Sequence, residues 1–313
     1  MAKMTPRPAS IAPSAGIRSW NTAPITREDY ARHYAAWGGS FILHPEVLQY
    51  FAEVHGVRSD FHGYFEHGEC IGAVATWGPS IAGDRRALHE RQLTERVDFG
   101  YPVLLLPVAP GRRCAVLYRA GYLLSLQRHQ LAGAVFPFVK AIAILKEIPG
   151  ELPTGKKEYQ IKERRFERLG GTVRDILEFT DDEIIGMYET LHLVRWQRRP
   201  HAVETMKTTL GHLRKFLYGK VLWLKDRPVA IQINYRADTE RTICIDYING
   251  GVDKSFNGIS PGSLLSYING RDACAEAAAR GKRLVYSYGK ANTAYKNQWC
   301  NRVSRGFTGF WLP

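Results

Sequence analysis

The alternation of apolar and polar residues divides the chain into short, well-punctuated segments. Thr26 followed by REDYARHYAAW predicts a helix with Thr26 as its N-cap, stopping near Gly38-Gly39. HPEVLQYFAEVHG predicts a second helix, with Pro45 in its first turn and Gly56 just past its end. FHGYFEHGECIGAVATW reads as two strands about Gly68-Glu69, a hairpin. YPVLLLPV and RCAVLYRA read as buried strands joined by a turn at Pro110-Gly111, and the charged stretch AGDRRALHERQLTER before them as a loop. The longest apolar run, LAGAVFPFVKAIAIL, covers residues 131–145 and is interrupted by Pro137 and Lys140. It falls short of the ~20 residues a membrane-spanning helix needs, so it reads as a loop followed by a buried strand.

In the second half, TGKKEYQIKERRFERLGG predicts a basic helix stopped by Gly170-Gly171. It carries Lys156, Lys157, Lys162, Arg164, Arg165 and Arg168. TVRDILEF predicts a strand, and Thr180-Asp181-Asp182-Glu183 is a capping box opening a helix that runs through Trp196 to Pro200. GKVLWLKDRPVAIQINYRADTERTICIDYING predicts three strands, turning at Asp226-Arg227-Pro228 and Asp238-Thr239-Glu240. GISPGS follows, then a helix to Gly281 and a short strand, RLVYSY. Antiparallel strands with helices between them make the class α+β, mixed sheets flanked by helices. The first half shows a looser version of the same order, so two copies of one fold are expected, although no clear sequence repeat is visible. The expected division is a disordered tail over 1–20, a first half over 21–155, a basic connecting helix over 156–171 and a second half over 172–313.

Composition narrows the partners. The 313 residues are 45% hydrophobic and 23% charged, values of a soluble globular protein, with a net charge of +13. That surplus favours anionic partners: nucleic acid, a phosphorylated cofactor or an anionic membrane leaflet. Cysteines 70, 114, 244, 274 and 300 form no C-x-x-C pair and are odd in number, which points to reduced thiols in a cytoplasmic protein. The first 18 residues lack the apolar core of a secretory signal.

Gly258-Ile259-Ser260-Pro261-Gly262 satisfies G-x-S-x-G, the nucleophile elbow of serine hydrolases. Pro261 decides against that chemistry. The residue after the nucleophile must give its backbone N–H to the oxyanion, and proline has none. The same residues fit a helix start, with Ser260 at N-cap and Pro261 at N1, and Gly262 and Ser263 offering bare N–H groups to an anion. H-E-x-x-H, Walker and G-x-G-x-x-G motifs are absent, and the histidines do not cluster at ligand spacing, so no metal is expected.

Three separated motifs carry a resemblance: YGKVLWLKDRPVAIQINY, ISPGSLLSYI and SYGKANTAYKNQW. In this order they are similar to the C-terminal half of acyltransferases of the GNAT superfamily, nearest the class found in Fem-type and polysaccharide-biosynthesis proteins. The match covers roughly residues 180–300. Over about residues 20–313, including WGGSFILHPEV, the chain also resembles the Mig-fourteen family, antimicrobial-peptide-resistance proteins of Gram-negative bacteria, cytoplasmic or peripheral at the inner membrane. The resemblance implies a GNAT-like fold in two tandem halves. It implies transfer of an acyl group from acyl-CoA, or an aminoacyl group from aminoacyl-tRNA, to an amine. Asp246, Tyr247 and Tyr295 are the catalytic candidates it nominates. Ser260, Gly262, Ser263, Lys290 and Lys296 are those for holding the donor. The acetyl-CoA loop of GNAT enzymes, Q/R-x-x-G-x-G/A, is missing, which sets acetyl-CoA in doubt. Tyr295, Lys296 and Trp299 could equally pin the last strand to the sheet. The basic 156–168 stretch is matched to anionic lipid, in peripheral contact, or to tRNA phosphate. The alternative is a non-catalytic membrane-associated factor of the same fold.

Overall fold

The computed structural model describes residues 21–138, 140–146, 156–256, 258–293, 296–297 and 299–309. The expected tail over 1–20 and Tyr295 lie outside these residues.

Local signals at the start of the chain produce the elements they encode. Strand β1 (Asn21–Pro24) leads into helix α1 (Arg27–Trp37), where the Thr26 hydroxyl accepts the Asp29 N–H at 3.0 Å. Helix α2 (Pro45–His55) ends on Gly56 at φ 70°, the left-handed region glycine enters without strain. The hairpin of β2 (Asp60–Glu66) and β3 (Glu69–Trp77) turns on His67 and Gly68, both at positive φ. With β4 (Ser80–Ile81) these strands form a sheet in the order β1-β2-β3-β4, antiparallel throughout.

The region after β4 departs from expectation. The charged stretch is not a plain loop: α3 (Arg85–Glu90) forms there, capped by the Asp84 carboxylate on Arg86 N–H at 2.9 Å. YPVLLLPV is buried but irregular, with isolated bridges to other strands at Leu104 and Val108 in place of a continuous ladder. Pro102 and Pro107 withhold two ladder donors from it, which a regular strand cannot spare. RCAVLYRA contributes only β5 (Cys114–Ala115), and the longer strand is β6 (Ala120–Leu124). The apolar run then gives β7 (Leu131–Ala132), a loop and β8 (Ala141–Leu145).

The second half is more regular. Helix α4 (Lys156–Arg168) precedes β9 (Thr172–Asp175), shorter than predicted because a 3-10 turn capped by Asp175 and Glu178 takes over at Ile176–Glu178. Helix α5 (Asp181–Trp196) carries both bonds of the Thr180–Glu183 box and stops at Trp196. Helix α6 (Val203–Leu213) starts from Ala202 in left-handed conformation without a side-chain cap, so no local signal announces it. Strands β10 (Lys220–Leu224), β11 (Arg227–Asp238) and β12 (Thr242–Val252), helix α7 (Pro261–Ala279), β13 (Arg283–Lys290) and β14 (Cys300–Thr308) complete the chain. The large sheet has the order β6-β14-β8-β13-β12-β11-β10-β9. Strands β9 to β12 repeat the antiparallel order of β1 to β4, and in each set two helices follow the first strand. Strand β8 sits between β13 and β14, so a strand from before the basic helix is built into the sheet of the second half.

Burial follows the strand alternation. On β12, Ile243 and Ile245 pack under α7 with Leu264, Leu265 and Ile268, while Cys244 faces the other way among Leu105, Ile142 and Val285. Each such side chain stabilises the fold by about 1.5–3 kcal/mol. Helices α1, α2, α5 and α6, with the 3-10 turn Phe41–Leu43, fill the opposite layer with Tyr30, Phe41, Phe51, Met187 and Leu210. At Gly251 a Cβ would lie 2.5 Å from Leu191 Cβ and 2.7 Å from His192 N, so α5 lies directly on the β12 backbone.

Candidate active site

Strands β12 and β13 run parallel and pair from Thr242↔Arg283 to Asp246↔Ser287, where the ladder ends. Beyond that point β13 pairs with β8, and β12 pairs with β11 across a bulge that leaves Ile248 unmatched. The two strands therefore part, and the β12 backbone on that side has no ladder partner beyond Asp246. The parting lies at the carboxyl ends of the parallel pair, where open α/β sheets form their crevices.

Asp246 stands at the last rung. It is 3% exposed, and neither carboxylate oxygen has a hydrogen-bond partner. Burial pushes its pKa up to about 8. Alternation places it on the face shared with Cys244. Tyr247 occupies the opposite face, its ring stacked on Tyr288 with centroids 5.4 Å apart. The two catalytic candidates thus flank one strand end from its two faces.

A loop of the first half closes over the parting. Gly100, at φ 58°, comes so near Ile248 that a Cβ there would lie 3.2 Å from its Cα. The next residue, Tyr101, packs on Gly289 of β13. The Arg85 guanidinium lies 3.8 Å and the Lys290 ammonium 4.5 Å from the Tyr101 ring centroid. Burial alone would raise the Tyr101 phenol, but hydrogen bonds and charge from Lys290 and Arg85 outweigh it and lower the pKa. Asp98, on the same loop, accepts the Gly100 N–H at 2.9 Å, and burial raises its pKa against that bond.

Helix α5 adds a histidine. Asn249 Oδ1 accepts the Gly250 N–H, so its amide nitrogen faces His192 Nε2 at 3.3 Å as donor. His192 Nδ1 then carries the proton and donates to Arg198 O at 2.9 Å. Burial lowers the His192 pKa, which keeps the ring neutral.

The donor-holding candidates divide into two groups. Ser260 occupies the N-cap of α7 in left-handed conformation (φ 52°), with Pro261 at N1, as the helix-start reading expects, but the Ser260 side chain makes no capping bond. Helix α4 flanks this end: Tyr159 sits beside Ser263 and stacks on Tyr267, and Arg165 donates to Gly258 O at 3.3 Å. Gly262 leaves room for a side chain, its nearest neighbours being Val252 atoms from 3.6 Å. Lys290 is exposed at the end of β13, over Tyr101. Lys296 is buried and donates to Tyr288 O at 2.6 Å and Lys290 O at 2.9 Å, holding the backbone that carries Lys290; burial lowers its pKa. Arg85, Asp98, Tyr101 and His192 were not nominated by sequence. They come from elements far apart in the chain, and only the charged run around Arg85 gave any signal.

Among the described residues no group of three or more His, Cys, Asp or Glu side chains is placed to hold a metal ion. The five cysteines are free thiols. No described helix is long and apolar enough to cross a membrane.

The family model of Mig-14 matches residues 44–306, more than half of the chain. The chain belongs to the Mig-14 family. No curated protein matches its sequence. Among solved structures it is similar to FemX, with a TM-score of 0.53 and 10% identity over 92% of this chain and 96% of that one. Weaker likenesses are to L-PGS from Bacillus licheniformis and to a tandem GNAT protein from the clavulanic acid biosynthesis pathway. The first has a TM-score of 0.43 and 13% identity, over 90% of each chain. The second has a TM-score of 0.41 and 10% identity, over 93% of this chain and 98% of that one. The fold is similar to that of FemX, a mixed α+β architecture of sheets flanked by helices in which β9 to β12 repeat the order of β1 to β4.

Proposed function

We propose that this Mig-14 protein transfers an acyl or aminoacyl group to an amine, at the parting of β12 and β13. One observation carries the reading: the parallel ladder ends at Asp246, a buried carboxylate without a hydrogen-bond partner, whose desolvation weakens the fold. Such a reaction needs an activated carbonyl held beside an amine, a base for the amine proton and donors for the oxyanion. Backbone N–H groups of β12 just past its last rung with β13 at Asp246 meet the oxyanion. Asp246, with its pKa near neutrality, takes the proton as the amine nitrogen bonds to the acyl carbon. The phenol of Tyr247 or Tyr295 returns a proton to the departing thiolate or ribose oxygen. Ser260, Gly262 and Ser263, with Arg165 alongside, hold phosphate of the donor, and Lys290, braced by Lys296, holds its other anionic part. The donor is an acyl-CoA or an aminoacyl-tRNA.

A second reading is a non-catalytic factor of the same fold at the inner membrane, contributing to resistance against antimicrobial peptides. It is favoured by the outer face of α4, where Lys157, Ile161, Arg164 and Arg168 form one exposed stripe at helical spacing. Each basic group near an anionic leaflet contributes about 1 kcal/mol, enough for weak, salt-sensitive peripheral contact. Transfer of a labelled acyl group from acyl-CoA or aminoacyl-tRNA to an amine, in wild type and Asp246→Asn, separates the readings. Transfer that the variant loses supports the enzyme. Absence of transfer, with liposome binding that Arg164→Glu/Arg168→Glu abolishes, supports the factor.

A further inference from the structure

A cavity of about 680 Å³ lies at the other end of the same strand pair, bounded by Trp37 and Gly38 of the first half and by Arg241, Thr242 and Arg283 of the second. Thr242 and Asp246 are four residues apart, so it opens about 13 Å from the parting. Its size is that of a small-molecule site, for which about 300–1,000 Å³ is usual.

Its walls carry an unbalanced charge. Arg241, the residue before β12, and Arg283, whose ladder partner is Thr242, are tied by the backbone bond from Arg283 N–H to Arg241 O at 2.9 Å. Both guanidinium groups are exposed, and among the described residues neither has an ion-pair partner. The adjoining cations are used differently: Lys282 and Arg280 both pair with Asp238. Glu240 also lines the cavity and offsets one of the two charges. Gln127 does not compete, because its amide is bonded on both sides to the backbone of Leu106. Trp37 supplies a flat wall, one indole face resting on His33 with ring centroids 4.3 Å apart. Gly38, at φ 89°, lets the wall close on Thr242, since a Cβ there would lie 2.9 Å from its hydroxyl.

Guanidinium forks match the geometry of phosphate oxygens, two of the residues lining the cavity carry them, and an indole wall suits a planar ring. We propose that this cavity binds a nucleotide-sized organic phosphate, its phosphate held by Arg241 and Arg283 and its ring against Trp37. The site stands apart from the transferase reading and does not depend on it.

Calorimetric titration of the full chain with AMP, adenosine and inorganic phosphate tests the assignment at low and physiological salt. AMP is expected to bind, and adenosine and phosphate each to bind at least about tenfold more weakly. Arg241→Gln and Arg283→Gln should each weaken AMP by about ten- to hundredfold, and Trp37→Leu should weaken AMP without changing phosphate. Because both arginines are exposed and unpaired, unchanged melting curves are expected for their variants. Arg283→Lys serves as a second probe, keeping charge but losing the fork. AMP affinity equal in wild type and both Gln variants overturns the proposal, as does absence of AMP binding at millimolar concentration. Loss of AMP binding in Lys290→Gln instead would move the ligand to the parting of the strands.

Discussion

Replacing Asp246 by asparagine is predicted to stabilise the protein at neutral pH. The folded-state pKa is about 8, whereas an unfolded aspartate titrates near about 4. Between those values the folded chain holds a proton that the unfolded chain has released. Stability therefore stands at its full value below pH ~4, falls as pH rises, and levels off above about 8. At pH 7 the interval from the unfolded value is about 3 units, which at 1.36 kcal/mol each costs about 4 kcal/mol. Asparagine removes that penalty but buries two unpaired N–H donors, offsetting about 1–3 kcal/mol of it. The expected net change is a gain of about 2 kcal/mol at pH 7 and a loss of about 2 kcal/mol at pH 4, where the penalty has vanished and the cost of the amide remains. Thermal melts of wild type and Asp246→Asn from pH 4.5 to 8.5 measure this. Other groups titrate in both proteins, so the difference between the curves isolates Asp246. It should shift in the variant's favour as pH rises, reaching a gain of a few degrees in Tm at pH 7. Parallel curves, or a variant less stable at pH 7 than at pH 5 relative to wild type, would refute the reasoning. Gain of stability with loss of transfer would mark a residue kept for chemistry.

Three further outcomes follow from single contacts. Thr180→Ala removes the hydroxyl that caps α5 and should lower stability by about 1 kcal/mol in a urea melt. Gly251→Ala drives a methyl group into Leu191 and the α5 backbone, and should cost more than about 2 kcal/mol or abolish soluble expression; an unchanged melt would place α5 further from β12. Asp238, held at a pKa of about 2 by Arg280, Lys282 and Arg236 against the opposing effect of burial, contributes stability present above pH ~4 and lost as pH falls through 2. Asp238→Asn should therefore flatten the acid limb of the stability curve, by a modest amount because the network is part-exposed.

The elements read correctly from sequence are those whose ends carry their own chemistry. Thr26, Gly56, His67-Gly68 and the Thr180–Glu183 box each set a boundary through a bond or a φ value within a few residues. The misreadings lack such marks or conflict with them. Helix α6 has no capping side chain, α3 is only six residues long, and the prolines of YPVLLLPV leave a buried segment that an apolar pattern mistakes for a strand. Long-range placement was equally hidden: nothing in AIAIL says that it will pair with β13 and β14. The site divides the same way. Asp246 and Tyr247 were nominated through a resemblance, and Ser260 through a helix-start pattern. Gly100 and Tyr101, about 145 residues earlier in the chain, meet Asp246's strand only because the halves fold onto each other.

The central claim is that the parting of β12 and β13 receives the donor. Hydrogen–deuterium exchange of the full chain, with and without acyl-CoAs and a non-hydrolysable aminoacyl-tRNA analogue, tests it most directly. The account predicts that a donor which binds will protect the amides of residues 247–249 and 262–263 together, and that Asp246→Asn will keep this protection. Binding that leaves those amides exchanging at their free rate would contradict it.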